Sequence, residues 1–234
     1  MLKLIRGIAE YRQKVRPTYT ELFAHLAHGQ QPDALLIACS DSRVVPNTFA
    51  STDPGELFVV RNIGNIVPPC ATHGGLHLSG EGPEDGPAPA AAHSEAAALE
   101  FAILKLEVRD LIICGHSHCG AMTALLDDRD RRSSIHRWLE YGEPSLARLR
   151  AHPLPNSGLS PVDQLSQANV LQQLDHLLSY PEIRKRVDAG TLRLHGWWFD
   201  IGHAEVLHFD EASGRFVVID EQEAARLLDR FGAD

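Results

Sequence analysis

Three stretches of this chain, Leu35 to Ala38, Leu57 to Val60 and Leu111 to Cys114, are apolar at every position, and that limits the fold more than any other feature. A strand with one wet face alternates apolar and polar residues; a strand covered on both faces does not. Continuous runs of strand length therefore predict a parallel sheet with helices on both sides. The segment SEAAALEFAILKL at 94–106 reads as a helix capped by Ser94, with Ala97, Phe101 and Leu104 on one side, and it leads into the third run as a crossover must. Within 191–220, residues 192–201, 204–210 and 215–220 read as three more strands, the last two joined as a hairpin across Glu211 to Gly214. The predicted class is α/β: a mostly parallel central sheet with an antiparallel edge and flanking helices.

Leu4, Ile8, Tyr11 and Val15 recur at helical spacing up to about residue 16, Pro17 is expected to end that helix, and Leu22, Phe23 and Leu26 mark a second. Residues 1–30 thus form an amphipathic helical arm. Further helices are expected at 133–141 and at 164–179, where Val170, Leu171, Leu174, Leu177 and Leu178 make an apolar face. Residues 68–93, rich in Gly, Pro, Ala and His with no apolar period, read as a flexible surface loop. At 234 residues and 44% hydrophobic, the chain can bury a full core as one domain.

Thirty-one acidic against 22 basic residues give a formal charge of −9, which argues against nucleic acid or an anionic membrane as a partner and favours a small or neutral substrate. MLKLIRGIAEYRQKV carries a charge every few residues and no apolar h-region, so a soluble, cytoplasmic protein without a membrane span is expected. Four cysteines without close-spaced pairs do not make a disulfide scaffold, and a reducing compartment keeps them available as thiolates.

Two of the apolar runs end in chemistry. Cys39-Ser-Asp-Ser-Arg43 follows the first, and His116-Ser-His-Cys119 follows the third. If those strands are neighbours, Cys39, His116 and Cys119 can converge on one zinc ion, and three protein ligands leave the open position of a catalytic site. His116 and Cys119, three residues apart, are expected to share a face of a helical turn, which favours His116 over His118 as the imidazole ligand. Cys70 and Cys114 read as loop or buried apolar residues. Asp41 can take the fourth zinc position, accept a hydrogen bond from a zinc-bound hydroxide, or pair with Arg43; the planar fork of Arg43 favours the second role by holding the carboxylate off the metal.

These residues resemble the β-class carbonic anhydrases. The likeness lies in Cys39 to Arg43, in Gly-Glu-Leu-Phe-Val-Val-Arg-Asn-Ile-Gly-Asn at 55–65, in Glu100-Phe-Ala and in Cys114-Gly-His-Ser-His-Cys-Gly120, and it extends over about residues 1–220. It implies a zinc enzyme, one ion per subunit, that hydrates carbon dioxide to bicarbonate and a proton through a zinc-bound hydroxide and works as a dimer or a multiple of dimers. It further implies that the arm packs on a partner subunit and that Phe58 and Ile63 line a small apolar pocket across the dimer interface. Phe101 departs from the Tyr that many plant-like members carry there. The family divides into an open form and one in which the Asp closes on zinc as fourth ligand. Leu36 and Ala38 stand where the closing subgroup has Trp and Gly, and Gln30 stands where the open subgroup has a pocket Gln, so the chain resembles the open, plant-like type.

Two thiolates give the metal more charge than imidazoles do. Zinc lowers the pKa of bound water from 15.7 to about 7 in a three-histidine carbonic anhydrase, so groups around this two-cysteine site are expected to compensate. Alternative readings are a carbonyl sulfide or carbon disulfide hydrolase on the same scaffold, or a structural or redox zinc module, against which Asp41, Arg43 and Gln30 argue. No Gly-x-Gly-x-x-Gly turn follows a predicted strand, which counts against dinucleotide binding. His73, His77 and His93 read as solvated loop residues rather than proton carriers, and Trp197 and Trp198 as edge-strand packing.

Overall fold

A computed structural model of the chain describes residues 1–70, 94–127, 133–154 and 158–232; most of the 68–93 loop, with His73, His77 and His93, lies outside the described residues. The chain enters through α1 (Leu2–Glu10), a wide π turn (Tyr11–Val15) and α2 (Arg16–Leu26). The expected break at Pro17 does not occur. Pro17 falls in the first turn of α2, where amide protons have no intrahelical acceptor in any case, and the π turn before it absorbs the change of register. No residue of α1 is buried.

The body is a six-stranded sheet in the order β2-β1-β3-β4-β5-β6, formed by Ala34–Cys39 (β1), Leu57–Asn62 (β2), Asp110–His116 (β3), Arg193–Asp200 (β4), Glu205–Asp210 (β5) and Arg215–Val218 (β6). The first four strands run parallel, and β5 and β6 complete an antiparallel edge. Every residue of β1 is buried, as its uninterrupted apolar run requires.

Short helix α3 (Pro46–Phe49) follows β1. The crossover helix α4 (Ser94–Leu104) buries Ala96, Leu99, Ala102 and Ile103, not the side expected from the sequence: Ala97 is exposed, Phe101 is 44% exposed, and Leu104 is only half-buried. The helix is apolar nearly all round, so its periodicity cannot single out a buried stripe. After β3 come α5 (Gly120–Asp127), α6 (Ser134–Leu139), α7 (Glu143–Ala151), α8 (Pro161–Leu178) and α9 (Pro181–Asp188), with α10 (Glu221–Phe231) at the carboxy end. The expected 133–141 helix stops at Leu139 in a 3-10 turn, with Ser133 Oγ accepting the His136 N–H as its cap.

Helix α8 organises the main core. It lies so close to the sheet that a Cβ on Gly115 would come within 2.7 Å of Val170 Cγ2, and one on Gly196 within 3.0 Å of Val170 Cγ1. Beneath it Leu35, Ile37, Leu111, Ile113, Val170, Leu177 and Trp198 pack as one cluster. The opposite sheet face carries a smaller cluster, with Leu36, Ala38, Ile112 and Cys114 joined by Phe49, Leu57 and Trp197. Trp197 and Trp198 are not at an edge, because β4 lies between β3 and β5.

At the start of β3, Asp110 takes both prongs of Arg193, at 2.8 and 2.9 Å, and His195 Nε2 at 2.7 Å. Burial raises its pKa, but the bonds from His195 and Arg193 outweigh burial and hold it at about 2. A carboxylate so depressed stabilises the fold above its unfolded value near 3.9, and loses that contribution as pH falls toward 2. Asp110→Asn is expected to cost about 1 to 2 kcal/mol at pH 7 by denaturant unfolding, with the gap to the parent narrowing between about pH 4 and 2. A gap independent of pH would show that the ion pair contributes nothing.

Candidate metal centre

Parallel pairing of β1 with β3 sets Ala38 opposite Cys114, so both strands reach the same end of the sheet, where Cys39 closes β1 and His116 closes β3. The chain then turns through His118 in the left-handed region (φ 53°) and delivers Cys119 just before α5. His116 and Cys119 therefore do not meet on a helical face; a strand end and a left-handed turn bring them together. One candidate donor atom from each of Cys39, His116 and Cys119 lies within 4.8 Å of the other two, and all three residues are buried. His118 is exposed, its N–H donates to Asp163 Oδ1 (2.6 Å), and it is not in the cluster.

The imidazole is prepared for a ligand. His116 Nδ1 is 2.8 Å from the Ser117 carbonyl, an acceptor only, so Nδ1 carries the proton and Nε2 keeps a free lone pair. That Nε2 is buried with no hydrogen-bond partner, a state a native protein rarely leaves unexplained. The two thiols share one proton: Cys119 donating to Cys39 lowers the Cys39 pKa to about 4, and the same bond raises that of Cys119. Two sulfurs and an imidazole nitrogen, close-set and dry, are the donor set that zinc takes, so the site fits the ion. Cys114 lies outside the cluster, its thiol pushed up to about 12 by burial, and burial also raises Cys70.

Arginines tie the two halves together. Arg43 donates from Nε to Asp41 Oδ1 (2.9 Å) and from Nη2 to Oδ2 (2.7 Å), its backbone N–H bonds Oδ1 (3.0 Å), and Nη2 also reaches the His118 carbonyl (3.2 Å). This grip holds the Asp41 carboxyl well below the usual carboxylate range. Asp41 is not a member of the three-residue cluster. Arg61 donates to the carbonyls of Cys39 (3.0 and 3.1 Å) and Asp41 (2.6 Å), a role that the sequence reading did not assign. An arginine near the end of a strand that opens with four apolar residues was the available signal.

Behind the three clustered donors, Gly64 N–H points at Cys39 Sγ (3.4 Å), Ser166 Oγ donates to the His116 carbonyl (2.8 Å), and Trp198 Nε1 donates to Ser166 Oγ (3.1 Å). Ile63 stands at this end, 42% exposed, its carbonyl accepting from Trp138 Nε1 (2.7 Å). The other expected pocket residues do not converge on it. Phe58 pairs with Leu35, four positions down β1 from Cys39 and so about 13 Å away along the strand. It contacts Phe101 (ring centroids 5.8 Å apart), and exposed Gln30 precedes the start of β1.

A family model described as carbonic anhydrase matches residues 34–206. A carbonic anhydrase of Pseudomonas aeruginosa is 37% identical over 230 residues, covering 97% of this chain and 96% of its own length. One of Synechocystis sp. is 37% identical over 221 residues, covering 93% of this chain and 74% of its own length. Among solved structures, the β-carbonic anhydrase CcaA matches at a TM-score of 0.78 and 37% identity, over 93% of this chain and 98% of that one. One described among two tetrameric β-carbonic anhydrases of Sordaria macrospora matches at 0.69 and 27%, over 92% and 96%. The matched region runs from the first residue of β1 into β5 and takes in all three clustered donors, and on this evidence the chain belongs to the β-carbonic anhydrases, zinc enzymes that interconvert carbon dioxide and bicarbonate.

Proposed function

We propose that Cys39, His116 and Cys119 hold the catalytic zinc for carbon dioxide hydration, that Asp41 and Arg43 serve the open position, and that the substrate pocket is completed by a second copy of the chain. The buried, unpartnered Nε2 of His116 carries the ligand assignment, since a free lone pair on an imidazole clustered with two sulfurs in a dry site has a metal ion as its natural partner. Bound there, zinc supplies a Lewis acid that makes water a nucleophile near neutral pH.

The protein's part is placement and charge. Asp41 has about four lone-pair positions, and three bonds from Arg43 occupy three of them, leaving one on Oδ2 to accept from the attacking water. Because Arg43 keeps that carboxyl ionised, Asp41 orients the water without taking its proton at neutral pH. Held in the same fork, it is kept from acting as a fourth ligand, which supports the open subtype suggested by Gln30, Leu36 and Ala38. Phe58, Phe101 and Gln30 sit toward the far end of β1 from the centre, so they serve as pocket residues only for a neighbouring subunit.

Self-association has its own support. Leu2, Leu4, Ile5 and Ile8 of α1 are exposed, and an open groove of about 1080 Å³ on the sheet is lined by Phe49, Leu57, Ile112, Trp197 and Leu228. Asp33, Glu56 and Glu211 also line it, whereas the arm carries Lys3, Arg6 and Arg12, so a partner's arm is matched in both apolarity and charge. Within one domain of 1–234, residues 1–30 then act as the dimerising arm. Among the described residues no helix is long and apolar enough to cross a membrane.

His116→Ala and Cys39→Ser are each expected to purify with well under one zinc per chain by metal analysis; full zinc content in either would remove that residue from the ligand set. In stopped-flow assays the zinc-loaded parent is expected to hydrate carbon dioxide well above buffer, persisting to mildly acidic pH without a sigmoidal profile. Asp41→Asn should lose about 10- to 100-fold with zinc retained. Inactivity of the loaded parent, or faster turnover of carbonyl sulfide or carbon disulfide, would reassign the substrate. Deleting residues 1–15 should lower the mass in solution and cut kcat/KM at least 10-fold; an unchanged oligomer of full activity would contradict the shared pocket.

A further inference from the structure

Along α8, Asp163, Ser166, Asn169, Gln173 and His176 recur at intervals of three, three, four and three, so they share one face, and every one of them is buried. A polar stripe on a buried helix is costly unless each group is bonded, and here each has a partner either on the His116–Cys119 segment or on the 64–67 segment that follows β2. Asp163 takes the His118 N–H, and Ser166 donates to the His116 carbonyl. Asn169 Nδ2 donates to the Gly64 carbonyl at 3.0 Å, while its Oδ1 accepts from Ser145 Oγ (3.0 Å) and Gln173 Nε2 (2.9 Å). Gln173 Oε1 accepts the Val67 N–H (2.9 Å), and His176 Nδ1 lies 2.8 Å from the Val67 carbonyl.

Gly64 is where this stripe reaches a donor sulfur. Its carbonyl is fixed by Asn169 and its N–H points at Cys39 Sγ. Its φ of +80° belongs to glycine, and a Cβ there would stand 2.9 Å from Ala121 Cβ at the start of α5. We propose that Asn169, braced by Gln173 and Ser145, is a positioning residue for the metal centre, fixing the backbone at Gly64 so that the residue's N–H withdraws charge from the Cys39 thiolate. This offsets the extra charge that two thiolates give the ion and keeps the metal a stronger Lewis acid. The inference rests on Cys39 being a ligand, as assigned above.

The test uses full-length protein with cobalt in place of zinc, in which each thiolate ligand gives a sulfur-to-metal charge-transfer band. Removing an N–H from a ligating sulfur raises its lone-pair energy, so the band of Asn169→Leu should move to longer wavelength. Its kcat should fall about 10-fold with KM within about twofold. Ile103→Val, in the core away from the centre, should lower the melting temperature and leave the band in place. Should Asn169→Leu not fold, Gln173→Met decides, with a smaller shift in the same direction expected. A folded Asn169→Leu or deciding Gln173→Met whose band matches the parent overturns the proposal and leaves the ligand set standing. A parent with no thiolate band at all overturns both.

Discussion

The parallel pairing of β1 with β3 is the constraint on which the rest of this molecule depends. It brings Cys39 and His116 to the same end of adjacent strands although 77 residues separate them in sequence, and it does so on the two most deeply buried strands of the sheet. Donors carried by buried strand ends have little freedom to move, so their spacing is set by the sheet. Two sulfurs and an imidazole nitrogen are set close together in one dry space. The fold thus holds together groups that gain most by meeting a cation.

Around that centre the charges are arranged by backbone carbonyls and guanidinium groups. Arg61 gathers the carbonyls of Cys39 and Asp41, and Arg43 spans Asp41 and the His118 carbonyl, so each motif is fastened by side chains outside the metal's own ligands. Planar, multi-donor groups suit this task because one residue can fix several acceptors at defined angles. Helix α8 does the same from beneath with neutral amides and hydroxyls, which satisfy buried peptide groups without importing charge into the core.

The sheet and the donors were legible in the sequence because each left a local mark. Uninterrupted apolar runs marked β1, β2 and β3, a Ser-Gly turn marked the final hairpin, and a cysteine or histidine at the end of a run marked the centre. What escaped was written at longer range or against an apolar background. The crossover helix α4 is apolar on nearly all sides, so grouping Ala97, Phe101 and Leu104 on one side did not reveal that the buried side holds Leu99 and Ile103. Prolines at the first turns of α3, α7 and α9 were start signals that went unread, and Asp220 caps α10 in the same unread way. The stripe from Asp163 to His176 was visible as spacing, but its partners lie on segments up to 109 residues away. Phe58, expected to line the pocket, stands on β2 opposite Leu35, away from the centre of its own subunit.

X-ray absorption at the zinc edge, on the purified protein near neutral pH, bears most directly on the central claim. The account predicts two sulfur scatterers, one imidazole and a single light scatterer without carboxylate character. A second imidazole, a single sulfur, or a carboxylate in the fourth position would contradict it, the first two by breaking the ligand set and the last by showing that Arg43 does not hold Asp41 off the metal.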